Sequence, residues 1–235
     1  MNPVPAKPDG YESKPANYFA QARSEMLRFI PAGCTRVLDV GCGGGNFGAA
    51  LKQSRQVEVW GLEPVASAVA EAAKKLDRVI EGIFTPEAEL PRASFDAIIF
   101  NDVLEHLPDP VSALRFARTL LQPGGVVVAS IPNIRHFQTL WEIVVRGELR
   151  YRDSGTLDRT HLRFFTKKSI RELFTECGFT VEHIEGINTY WWIPGTREPS
   201  RWFYFKIINA LTFNAIEDMK HLQFATVARA ATKSS

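Results

Sequence analysis

The stretch Arg36-Val-Leu-Asp-Val-Gly-Cys-Gly-Gly-Gly-Asn-Phe-Gly48 constrains this chain more than any other. Val37 to Val40 is an apolar run with Asp39 embedded, and it predicts a short buried strand. It stops at Gly41, Gly43, Gly44, Gly45 and Gly48, and a helical pattern follows from about residue 46 to 53. Strand, glycine turn and helix in that order form a cradle for a nucleotide-like ligand at the strand's carboxyl edge. Glycine suits the turn because a Cβ would block its tight backbone angles and hold a ligand away from the main chain.

The remaining pattern alternates around this stretch. Residues 57–62 predict a second strand ending at Glu63-Pro64, followed by an alanine-rich helix over about 65–76. Residues 78–81 predict a third strand, and 95–100 a continuous apolar fourth one suited to a central parallel position. A helix over 110–121 has proline in its first turn. Gln122-Pro-Gly-Gly125 stops it, and 126–131 form a fifth strand. Ahead of the glycine turn, apolar residues at helical spacing predict a helix over 18–30 that ends at Pro31-Ala-Gly33. Thr166 predicts the N-cap of a helix over 167–177 closed by Gly178, with strands at 179–184 and 221–228. Alternation of this kind argues a doubly wound α/β fold.

At 235 residues and 45% apolar composition the chain suits one domain with a sizeable core. Residues 1–15 are rich in Pro, Gly, Ser and Lys and are expected to be a flexible arm. Residues 16–235 are then a single domain with insertions at about 133–165 and 187–220. A net charge of +2 does not make the molecule a polyanion binder. No RNA-binding module or long basic tract appears, so nucleic acid is not expected as a partner. Cys34, Cys42 and Cys177 are an odd set without metal spacing, which fits a reduced compartment. The start does not read as a signal peptide, and no apolar run approaches the roughly 18 residues that span a bilayer. A cytoplasmic protein is expected, as a monomer or homodimer.

Four features together resemble the class I S-adenosylmethionine (SAM) methyltransferases. They are Val37-Leu-Asp-Val-Gly-Cys-Gly-Gly-Gly45, Glu63 after the second strand, Asn101-Asp-Val-Leu-Glu-His-Leu-Pro-Asp109 after the fourth, and Gln122-Pro-Gly-Gly125 before the fifth. Leu157-Asp-Arg-Thr-His-Leu-Arg-Phe-Phe-Thr166 is similar to a narrower branch associated with bacterial polysaccharide and lipopolysaccharide sugar modification. The resemblance implies a Rossmann-like seven-stranded, mostly parallel sheet with its last strand antiparallel. Helices would lie on both faces and the insertions would form an acceptor lid. It implies that Gly41, Cys42 and Gly43 let the backbone approach the cofactor, and that Glu63, followed by Pro64, holds the ribose hydroxyls. Asn101, Asp102 and Val103 would flank the methionine end, with His106 beside them. Ile83 and Phe84 stand where the family usually has an acid near adenine. Arg23 and Tyr18 would cap the site, the arginine pairing with the cofactor carboxylate.

The glycine turn alone also fits a dinucleotide fingerprint, with Glu63 about 20 residues on. Asp39 inside the strand and the 101–107 segment favour SAM, whose sulfonium and ammonium are cations.

Methyl transfer is an in-line displacement, so alignment carries much of the catalysis. A hydroxyl nucleophile also needs its proton removed, most often by histidine. His161, with Asp158 nearby to orient it, is the first candidate base, against a buried structural histidine. His106 is the second, and His136 is assigned to the acceptor. No HxH, HExxH or clustered carboxylate pattern points to a metal, so catalysis is expected to be metal-independent. Between Arg135 and Arg171, nine cations against four acids leave +5. Arginine forks match phosphate oxygens, so Arg152 and Arg159 suggest a phosphate-bearing acceptor, against a solvated lid surface. Tyr190 and Trp192 begin an aromatic stretch that reads as acceptor wall, dimer seam, peripheral membrane contact or core.

The reading that results is SAM-dependent O-methylation of a sugar or nucleotide-linked sugar hydroxyl. O- or N-methylation of a quinone precursor or natural product is the alternative. A non-catalytic SAM-binding module and a nicotinamide-dependent oxidoreductase are the readings from other classes.

Overall fold

Seven strands form one sheet in the order β3-β2-β1-β4-β5-β7-β6 in this computed structural model, which describes residues 22–189, 207, 209–212 and 214–231. The arm expected at 1–15, Tyr18, Tyr190 and Trp192 lie outside the described residues. In chain order the elements are β1 (Arg36–Val40), α1 (Asn46–Ser54), β2 (Glu58–Glu63), α2 (Ala66–Ala72), β3 (Arg78–Glu81), β4 (Phe95–Asn101), α3 (Pro110–Leu120) and β5 (Leu121–Pro132). They continue with α4 (Phe137–Leu140), α5 (Lys167–Glu176), β6 (Phe179–Thr189) and β7 (His221–Ala230).

The first five strands pair in parallel. The last strand, β7, runs antiparallel between β5 and β6, as the resemblance implied. β1 leads outward to β2 on one side, and β4 lies on its other side. The strand order therefore reverses between β1 and β4, and a crevice opens at their carboxyl ends.

Period-two alternation sorts the central strands onto two cores. Leu38, Ile98, Phe100 and Val127 face α3 and α5, meeting Leu114, Phe116, Ile170 and Phe174. Val37, Ala97, Ile99 and Val128 face the other way, toward Met26, Phe29, Phe47, Leu51 and Leu76. Helices thus cover both faces. Gly48 and Gly61 permit this contact, since a Cβ on Gly61 would lie 2.6 Å from Cys42 Sγ and 2.8 Å from Leu76 Cδ1.

Three boundaries depart from the sequence expectation. Within the helix expected at 18–30, the described part is a 3-10 helix, Ser24–Phe29, entered through Arg23 at φ 45. Met26 and Phe29 are its buried pair, and a spacing of three suits a 3-10 turn better than an α-helix. β5 begins five residues early because Leu121 pairs with Phe95 across a register shift. β6 runs five residues long because β7 pairs with it as far as Thr189 opposite His221. The 133–165 insertion holds α4, a π-helix at Trp141–Val145 and two isolated bridges, Asn133 to Phe165 and Arg152 to Asp158. No helix among the described residues is long and apolar enough to cross a membrane.

Candidate active site

The glycine turn is built by backbone geometry and one carboxylate. Gly41 sits at φ 67 and Gly43 at φ 52, a region that favours glycine. A Cβ on Gly41 would come within 2.8 Å of Val103 Cγ2, so this residue type also lets the segment after β4 close on the turn. Gly41 N–H donates to Leu62 O at 2.7 Å, tying the turn to β2. Glu63, buried at the end of β2, accepts from Gly43 N at 3.0 Å and from Val65 N at 3.0 Å. Those two bonds fix its carboxylate beside the turn.

These residues line one side of a cavity of about 610 Å³. Asp39, Gly41, Cys42, Gly43, Glu63 and Asn101 come from the carboxyl ends of β1, β2 and β4. Arg23, Asp102 and Gln223 form a second wall. Glu105, His106, Asp158 and His161 line it too, with Ser154, Gly155 and Thr156 of the insertion. The insertion therefore reaches the site, as a lid would.

Asp39 is 2% exposed and its Oδ2 makes no hydrogen bond. Burial, with a further push from the Glu63 charge, raises its carboxyl to about 8. Both polar atoms of the Asn101 side chain are likewise buried without hydrogen bonds. Burial also lifts the Cys42 thiol, with Asp39 and Glu63 adding to the effect, so it is a neutral wall rather than a thiolate.

Asp102 occupies a left-handed position, φ 55. Its carboxylate accepts from Arg23, from Ser130 Oγ at 3.0 Å and from Gln223 Nε2 at 2.6 Å. Arg23 Nη2 also donates to Gln223 Oε1 at 3.1 Å, and Arg23 Nε lies 3.1 Å from Glu25. Arg23 is thus at the cavity, where the sequence placed it, but its guanidinium is engaged by this network. A cofactor carboxylate would have to exchange for one of these partners.

Two of the candidate bases meet at the cavity. The His106 and His161 rings meet edge to face with centroids 4.7 Å apart. His106 Nδ1 lies 3.1 Å from Thr160 O and His161 Nδ1 lies 3.0 Å from Thr156 O. A carbonyl only accepts, so each Nδ1 carries a hydrogen, and in the neutral ring the lone pair is on Nε2. The Asp158 carboxylate accepts from Thr160 N at 2.9 Å and Thr160 Oγ1 at 2.7 Å. The acid that stands 3.9 Å from His161 Nε2 is Glu105, which sequence reasoning missed. Glu105 is 1% exposed and neither of its oxygens makes a hydrogen bond. Burial, with Asp102 adding, pushes its carboxyl well above the usual range. The signal was an acid between two leucines beside a histidine, in a 3-10 helix of three residues, Leu104–His106.

Other sequence candidates fall elsewhere. Phe84 is a core residue, edge to face with Phe100 at 5.4 Å and packed on Phe116 at 4.9 Å. Ile83, Pro64 and Val103 do not line the cavity. His136 is buried as the N-cap of α4. Arg152 donates to Glu142 at 2.5 Å and Arg159 to Asp153 at 3.0 Å, both outside the cavity.

The family described as Methyltransferase domain matches residues 11–184. A ubiquinone biosynthesis O-methyltransferase of Xylella fastidiosa is 33% identical over 188 residues, 76% of this chain and 75% of that protein. A protein of the same name from Psychrobacter arcticus is 32% identical over 166 residues, 65% of this chain and 62% of that one. One from Xanthomonas campestris is 38% identical over 104 residues, and the chain spans only 43% of its length. Among solved structures, a SAM-dependent methyltransferase from Archaeoglobus fulgidus superposes with a TM-score of 0.65 at 20% identity, covering 90% of this chain and 94% of that one. At that identity the likeness concerns the fold.

Proposed function

The chain belongs to the methyltransferase-domain family, and we propose that it moves the methyl group of SAM to a hydroxyl oxygen of a small phenolic acceptor, of the kind from which quinones are built. The observation that carries this reading is the acid-rich lining of the cavity. Glu25, Asp39, Glu63, Asp102, Glu105 and Asp158 line it, with Arg23 as the single arginine or lysine among the described residues. A cation placed beside buried acids favours their ionised form, so this lining suits a cofactor bearing a sulfonium and an ammonium. It offers little to the pyrophosphate of a dinucleotide, or to a phosphate-bearing acceptor. Arg152 and Arg159, the basis for expecting such an acceptor, are paired with acids outside the cavity. The names of the relatives support phenol methylation over sugar methylation, since ubiquinone is a methoxylated quinone.

The residues present fit SAM: the turn lacks Cβ atoms where a ligand approaches, and Asp39 and Asn101 offer buried polar atoms without hydrogen bonds. Glu63, held by two backbone N–H groups, keeps acceptor capacity for ribose hydroxyls. Asp39 and Asn101 would hold the cationic methionine end. Bound SAM supplies an electrophilic methyl carbon, which an acceptor oxygen takes as the carbon–sulfur bond breaks. His161 Nε2 takes the proton from the acceptor hydroxyl, with the Glu105 carboxyl 3.9 Å from the resulting imidazolium. Incubation with SAM and either a simple catechol or a nucleotide sugar, with S-adenosylhomocysteine measured by chromatography, tests the reading. Turnover of the catechol is expected. Turnover of the nucleotide sugar alone would overturn the acceptor class, and none with any phenol or sugar would leave a binding module.

A further inference from the structure

We propose that Gln223 is a positioning residue for the carboxylate of SAM: its amide bridges Arg23 and Asp102, so their ion pair opens to the cofactor without leaving either charge bare. Gln223 is 8% exposed and sits in the ladder of β7, opposite Pro132 of β5 and Ile187 of β6. Its backbone is therefore fixed from both sides, and it lines the cavity.

The network admits one orientation of the amide. Two donors converge on Oε1, Arg23 Nη2 at 3.1 Å and Asn188 Nδ2 at 2.7 Å, while Nε2 donates to Asp102 Oδ1 at 2.6 Å. A carboxamide carries acceptor and donors on one planar group, which a carboxylate or a thioether does not. The residues it gathers also share a backbone feature. Arg23, Asp102 and Asn188 stand at φ 45, 55 and 53, three of the five non-glycine residues at positive φ among the described residues. Asp and Asn tolerate that region, but arginine rarely enters it, and such conformations persist where the surroundings impose them. The segment ahead of β1 and the ends of β4 and β6 thus meet at one side chain of β7.

The role of this junction rests on the methyltransferase reading. Arg23 is the cavity's single arginine or lysine among the described residues, so it is the cation a cofactor carboxylate would meet. What decides the exchange is which partner of Arg23 yields. Asp102 can leave the guanidinium and keep Ser130 Oγ at 3.0 Å together with Gln223 Nε2. Arg23 keeps Gln223 Oε1, and its Nε, buried without a hydrogen bond, is a further donor. Displacing Gln223 instead would strip both charged groups of their shared neighbour and crowd two carboxylates onto one guanidinium, and a buried charge left unpaired is costly. Asp102 is therefore the partner that yields, and Gln223 holds both groups through the exchange.

The test compares SAM with decarboxylated SAM, which keeps the sulfonium and the ammonium and lacks only the carboxylate. Calorimetry is run on the parent chain, on Gln223→Met and on Gln223→Glu, which sets a carboxylate against Asp102. The parent chain is expected to bind SAM more tightly than the analogue. Both variants should weaken SAM about 10 to 100-fold, the worth of a hydrogen bond to a charged group, and alter the analogue by less than about 3-fold. A purely structural role would weaken both ligands alike; that result, or unchanged SAM affinity in both variants, would overturn the proposal. Should neither variant fold, the isotope-labelled parent chain decides. The Gln223 side-chain amide resonance should move with SAM and stay with the analogue, and equal movement with both sinks the idea. A parent chain that binds neither ligand would remove the methyltransferase reading, and this proposal with it.

Discussion

SAM binding should expel a proton, and Asp39 is the source. Its carboxyl is raised to about 8, so in the ligand-free chain at pH 7 it is about 90% protonated. A cation placed beside it reverses the balance and favours the carboxylate. Binding at pH 7 should therefore release about 0.9 proton, falling toward 0.1 at pH 9. Affinity follows the ionised fraction: about tenfold tighter at pH 9 than at pH 7, and about tenfold weaker again at pH 6. Calorimetry in two buffers of different ionisation enthalpy gives the proton count directly. Asp39→Asn should remove the release and flatten the pH dependence, and the difference between the two proteins isolates Asp39 from other titrating groups. Identical proton counts in both would refute the reasoning. The stability of the ligand-free chain carries the opposite signature. The folded value lies above the unfolded one, so the contribution of Asp39 is fully present below about 4 and is lost as pH rises through about 8.

Two further outcomes follow from the geometry. His161→Ala should lower turnover by about 10² to 10⁴-fold while leaving SAM affinity unchanged, because its ring lies against Glu105 and His106 and is not part of the glycine turn; an unaltered rate would move the proton-accepting role elsewhere. Gly61→Ala places a methyl 2.6 Å from Cys42 Sγ and 2.8 Å from Leu76 Cδ1. Overpacking costs about 1–3 kcal/mol, so the melting temperature should fall by several degrees, and an unshifted melt would show that this contact relaxes freely.

The first half of the sheet was legible because its signals are local. A buried strand, a glycine turn, an acid after the next strand and a proline-started helix each announce themselves within ten residues. What escaped depends on distant partners. Phe84 could be read as an adenine wall until Phe100 and Phe116 were seen to enclose it. The arginines of the insertion looked like anion ligands because their acids, Glu142 and Asp153, are not adjacent in a pattern that predicts pairing. Glu105 went unnoticed between two leucines because only the 154–161 loop gives it a role. The sugar branch suggested by residues 157–166 rested on that same loop, whereas the two relatives from Psychrobacter arcticus and Xylella fastidiosa are named ubiquinone biosynthesis O-methyltransferases.

The position of β7 has a consequence in time. Among the described strands β6 sits at the sheet edge with β7 as its one neighbour, yet β7 is the last of them to be made, after residues 190–220. At about 5–20 residues per second, β6 waits roughly 2–6 s during synthesis with its pairing edge open. The same late strand delivers Gln223 to Asp102, so the cavity wall is finished only once β7 is made. A half-made chain exposes a sticky edge but no completed site, and β7, on pairing, closes both accounts in one event.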